Sequence, residues 1–144
     1  MASLLRFSEA AALALHAMAR VAVGQGEVIS ARTLAAECRA SEAHMIKVCQ
    51  RLSRGGLLRS HRGAGGGFTL GRGAGRIRLL DIYTEIEGPV KLNPCLFQGH
   101  ACAGGHQGRC VVGGMILGYE KEILRYMKST SLAAIAAECL SGGA

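Results

Sequence analysis

The chain has 144 residues, a length that suits one small domain with at most an appended element. Hydrophobic residues make up 49 % of it, but no run of 18 apolar residues occurs, so no membrane span is indicated. The formal net charge is +7, and residues 39–78 carry nine basic side chains (Arg39, Lys47, Arg51, Arg54, Arg59, Arg62, Arg72, Arg76 and Arg78) against one acid, Glu42. A basic block confined to one segment of a folded domain is the footprint of a polyanion partner.

The N-terminal stretch MASLLRFSEAAALALHAMARVAV does not read as an export signal. Glu9, His16 and Arg20 interrupt its apolar run, and it has no separate basic region. It reads as a mature helix, over 8–23, in a cytoplasmic protein. Ser8 supplies the N-cap, Glu9 complements the positive helix end, and Leu13, Ala17 and Val21 form the apolar stripe. Gly24 and Gly26 end it. Ser30 caps a short second helix over 31–38, with Leu34, Ala35 and Cys38 on one face. A break at Arg39–Ala40 precedes Ser41, which caps a third helix over 42–54.

Met45, Val48, Cys49 and Leu52 recur along that third helix at core-facing intervals. The opposite face presents His44, Lys47, Gln50, Arg51 and Arg54, and Gly55-Gly56 stops the helix. Two short helices with a tight break, the second basic on its outer side, predict a helix-turn-helix. Residues 57–61 and 68–70 then read as short strands joined by RGAGGG, residues 62–67. A tip so rich in glycine can press backbone N–H groups, including those of Gly65 and Gly66, close to phosphates, with Arg62 as a charge anchor. The expected fold is mainly α with a small β wing: a winged helix-turn-helix plus a long C-terminal dimerisation helix.

RLLDIYTEIE (78–87) predicts a fourth helix, ended by Gly88-Pro89. CLFQGHACAGGHQGRC (95–110) follows, with Cys95, Cys102 and Cys110 on a glycine-rich backbone beside His100 and His106. Three thiolates at such intervals can converge on one point, and soft ligands select zinc, copper(I) or iron–sulfur clusters. With no export signal, the six cysteines are expected to be free, metal-bound or redox-active rather than a disulfide framework. Residues 111–128 predict a long helix with a broad stripe of Val112, Met115, Ile116, Tyr119, Ile123, Tyr126 and Met127, whose cover is a two-fold partner. A last short helix runs through Leu132, Ile135 and Ala136. The chain divides into a DNA-binding domain (1–90), a cysteine loop (91–110) and a dimerisation element (111–144).

Together these residues resemble the IscR/NsrR-type (Rrf-two) winged-helix transcription regulators over nearly the whole chain. LSRGGLLRSHRGAGGGFTL (52–70) is similar to the family's wing signature, and SEAHMIKVCQRL (41–52) to the recognition helix of its nitric-oxide-responsive branch. The resemblance implies a homodimer on a double-stranded DNA operator, controlled by a [4Fe–4S] or [2Fe–2S] cluster that senses nitric oxide, redox state or iron supply. By that carry-over Cys95, Cys102 and Cys110 bind the cluster. The family's two known fourth-ligand positions hold Gly113 and Ala12 here. His16, one turn beyond Ala12, is the first choice for a fourth ligand donated across the dimer, in competition with Glu9, His100, His106 and an exogenous ligand. A DNA-reading glutamate of the cluster-assembly regulators aligns with Ile46, which implies a different operator preference.

For DNA contact the candidates are Lys47, Arg51, Arg59 and Arg62 on phosphate, the wing glycines Gly65 and Gly66, and His44 and Gln50 on base edges. The rival reading is a cluster-free regulator switched by cysteine oxidation or by zinc at the same cysteines. No nucleophile–base pair stands out, and RGAGGG lacks the following helix and acid of a dinucleotide fold. An enzyme is not expected, and neither is a small-molecule substrate or a membrane partner.

Overall fold

The structure, a computed structural model, describes residues 7–92 and 110–141. Helix α1 (Glu9–Val23) opens at Ser8, whose Oγ accepts from the Ala11 N–H. Helix α2 (Ala31–Glu37) opens in the same way at Ser30, and α3 (Glu42–Arg54) at Ser41. Each serine satisfies one of the N–H groups that a helix start leaves unpaired, so three hydroxyls set three helix origins. Between α2 and α3 the chain turns through Arg39 in the left-handed region (φ 53°), and the Ala40 N–H closes the turn on the Ala35 carbonyl.

Strands β1 (Leu58–His61) and β2 (Gly67–Leu70) pair antiparallel, Leu58 opposite Leu70 and His61 opposite Gly67. Ile29 bridges Phe68 on the other side of β2, tying the wing to the segment before α2. At Gly67 a side chain would collide with the Ile29 carbonyl, so only glycine permits that bridge. A 3₁₀ turn (Ala74–Arg76) leads to α4 (Leu79–Glu87), followed by α5 (Val111–Ser129) and α6 (Leu132–Ser141).

The core gathers Leu13, Met18, Leu34, Met45, Leu52, Leu57, Ile77, Ile82 and Leu132, all buried. Leu132 opens α6, and α6 lies along α1. The entry into α4 holds this return in place: the Leu132 N–H donates to the Ile77 carbonyl and the Leu79 N–H to the Thr130 carbonyl. By packing, α6 therefore belongs with α1–α4, although chain order groups it with the dimerisation element.

Helix α5 has an unusual amphipathy. The residues it buries are Gly113, Glu120 and Met127, while Val112, Met115, Tyr119, Ile123 and Tyr126 are exposed. Of the apolar stripe expected from its sequence, only Met127 is buried and Ile116 partly so; the rest faces away from the body.

Candidate nucleic-acid interface and cysteine site

Helix α3 buries Met45, Val48, Cys49 and Leu52, which turns Lys47 and Gln50 outward and leaves His44 half-buried near its start. Arg51 is also at the surface, but its Nη2 donates to the Glu85 carbonyl at 2.9 Å and to that of Ile86 at 2.8 Å. These carbonyls belong to the last turn of α4, where a cation complements the negative helix end. The guanidinium thus joins α3 to α4, which separates it from the group of Lys47 and Gln50.

In the wing, Arg59 is exposed on β1 and Arg62 at the start of the tip. Gly63 and Gly65 take positive φ (96° and 75°), and the Gly66 N–H closes the tip on the Gly63 carbonyl at 3.0 Å. At Gly65 an L side chain would be strained, and the Gly66 N–H, expected to face phosphate, is taken up by the Gly63 carbonyl within the tip. His61 Nε2 and Thr69 Oγ1 are hydrogen bonded at 2.9 Å across the two strands. Ser53 and Ser60 link the end of α3 to β1 through a 3.2 Å hydroxyl contact.

An open groove of about 500 Å³ runs between the wing and the starts of α2 and α3. Ser30, Arg32, Glu42, Ser60 and His61 line it together with the wing glycines. Arg32, Glu42 and His61 were not among the residues expected from sequence to face DNA. For Glu42 a signal exists, because it is the lone acid of the basic block.

Of the expected cluster ligands, Cys95 and Cys102 lie outside the described residues, as do His100 and His106. Cys110 is exposed and free, and it is the N-cap of α5: its Sγ accepts from the Gly113 N–H at 3.3 Å. His16 is exposed on α1 and lines a second groove with Glu9, Ala12, Glu37, Cys38 and Arg39. Among the described residues no three His, Cys, Asp or Glu side chains converge as a metal site within one chain. Cys49 is fully buried, and burial, followed by the neighbouring Cys38, pushes its thiol up to about 12. Burial raises the half-buried Cys38 as well, with a further contribution from the Glu37 carboxylate. Both act as core residues.

Among the described residues no helix is long and apolar enough to cross a membrane. The family described as "Rrf2: Iron-dependent Transcriptional regulator" matches residues 7–138. The HTH-type transcriptional regulator IscR of Xenorhabdus nematophila is 33 % identical over 93 residues, covering 64 % of this chain and 54 % of that protein. The fold is similar to that of T. potens IscR, with a TM-score of 0.73 and 25 % identity over 97 % of this chain and 92 % of the other. It is equally similar to CymR, described as the global cysteine regulator of B. subtilis, with a TM-score of 0.73 and 24 % identity over 92 % and 97 % of the two chains. With a basic recognition helix, a glycine-tipped wing and this family match, the chain belongs to the Rrf2 family of DNA-binding transcriptional regulators and is not an enzyme.

Proposed function

We propose that this regulator works as a homodimer on a double-stranded DNA operator, and that an iron–sulfur cluster on Cys95, Cys102 and Cys110 sets its affinity. The observation that carries the cluster is the place of Cys110. An exposed thiol caps the first turn of α5, with a backbone N–H directed at its sulfur, where a thiolate ligand would be held by the helix end. The donor set fits such a group, because soft thiolates are its usual ligands. His16, exposed beside a groove on α1, is the fourth ligand, donated from the second subunit. When bound, the cluster supplies a centre that responds to nitric oxide, redox state or iron supply.

DNA contact is assigned to Lys47, Arg59 and Arg62 on phosphate, to the wing-tip backbone at Gly65, and to His44 and Gln50 on base edges. Arg51 serves the same surface by holding α3 against α4. Two homologous bodies joined through α5 would place two recognition helices on successive half-sites. Cysteine ligands at the foot of α5 would bias the two arrangements of such a dimer, a population shift that needs a few kcal/mol of differential binding.

The test is an ultraviolet–visible spectrum of anaerobically purified protein, with iron and acid-labile sulfide measured on the same sample. Broad absorbance near 400 nm with matched iron and sulfide supports the reading, and His16→Ala should then yield a more labile chromophore. Equal affinity of loaded and stripped protein for one selected duplex would overturn control by the cluster. A second reading rests on the same exposed Cys110: a cluster-free regulator switched by thiol oxidation or zinc. A colourless protein without iron or sulfide, even after reconstitution, would overturn the cluster and favour that alternative.

A further inference from the structure

Residues 39–78 hold one acid among nine basic residues, and that acid lines the groove beside the wing. Glu42 is the first residue of α3, directly after the Ser41 cap. Its Oε2 accepts from Arg32 Nε at 3.3 Å, and the two side chains remain 47 % and 82 % exposed. Both line the groove between the start of α3 and the wing.

A carboxylate on this surface repels the phosphates of every duplex alike, so it lowers affinity without regard to sequence. In the major groove that loss is recovered only where an exocyclic amine is offered. Cytosine N4 offers one with no acceptor beside it on the same base, whereas adenine sets N7 next to N6 and opposes the second carboxylate oxygen. Residues at the N-terminus of a recognition helix are the ones that reach base edges.

We propose that Glu42 is a specificity-determining residue that accepts from a cytosine amino group in each half-site. Arg32 positions its carboxylate through Nε, and the rest of that exposed guanidinium is directed to a neighbouring phosphate. The inference rests on the DNA-binding reading above and names one base that reading leaves open.

The experiment is selection from a randomised duplex library by the full-length, anaerobically purified protein, followed by affinity measurements on the enriched sequence. Wild type should enrich a motif with a fixed C·G pair in each half-site. Glu42→Ala should lose that position alone, with discrimination there falling about tenfold per half-site, and should bind random duplex more tightly. Glu42→Gln preserves the shape of the helix start and should move the preference toward adenine, which an amide reads with donor and acceptor together. Identical motifs from wild type and both variants would overturn the proposal. A folded wild-type protein that enriches no motif would instead overturn the DNA-binding reading itself, and this inference with it.

Discussion

Cys49 is fully enclosed where α3 packs on the core, and its thiol titrates near 12 because ionising it would leave a charge in that interior. In the unfolded chain the same thiol ionises near the ordinary value of about 8.5. The folded value is the raised one, so the contribution to stability is complete below about pH 8.5 and declines as pH climbs toward 12. We therefore expect stability to fall between pH 8.5 and 10 by up to about 1.4 kcal/mol per pH unit from this group. Cys49→Ala should remove that part of the slope at a fixed cost of about 1–2 kcal/mol, read from urea midpoints across the pH series. Equal slopes in the two proteins would show that other groups carry the dependence. The four described thiols should also separate by reactivity. Cys139 is exposed and should alkylate within the native protein, the exposed Cys110 should do so once any cluster is stripped, and Cys49 should react only on unfolding.

The elements show where sequence reasoning reaches and where it stops. Three helix starts were legible because Ser8, Ser30 and Ser41 each cap within three residues, and such local bonds leave a readable spacing. The core face of α3 was legible for the same reason, Met45, Val48, Cys49 and Leu52 all being buried. Arg51 marks the limit. Its outward position on α3 matches that of Lys47, but its guanidinium reaches carbonyls more than thirty residues away, a pairing with no periodic trace. The two cations should therefore fail differently. Lys47→Ala should reduce the salt dependence of DNA binding by about one counterion per protomer and leave the melting temperature unchanged. Arg51→Ala should lower stability by about 1–3 kcal/mol, through two lost charge-assisted bonds, and leave the salt slope near that of wild type. Salt titrations and urea melts on the two variants decide it: a reduced slope for Arg51→Ala would return that residue to the phosphate contacts.

At the scale of the molecule, what needs explaining is an apolar helix face turned to solvent. A 19-residue α5 spans about 28 Å, and Val112, Met115, Tyr119, Ile123 and Tyr126 run down its outer side at intervals of three and four. Tyr119 alone is 68 % exposed. Periodicity identifies this stripe, and its place on a late helix of a small domain leads to the expectation of a two-fold partner as its cover. Among the described residues Gly113, Glu120 and Met127 are the ones α5 buries, and the core closes through Leu132 without the α5 stripe. A continuous apolar face of this kind is the mark of an interface. If a second α5 covers it, the 15.0 kDa chain should sediment at about twice that mass. Replacing Met115 and Tyr119 together by aspartate should yield a monomer by sedimentation velocity. That monomer should keep its far-ultraviolet circular dichroism and urea midpoint, because both side chains are largely exposed among the described residues. Operator affinity should fall by well over tenfold, because a single body then engages one half-site where two were read together. A double variant that stays dimeric would place the interface elsewhere. A double variant that becomes monomeric yet binds DNA as tightly as wild type would show that one winged helix suffices and that α5 serves some other contact.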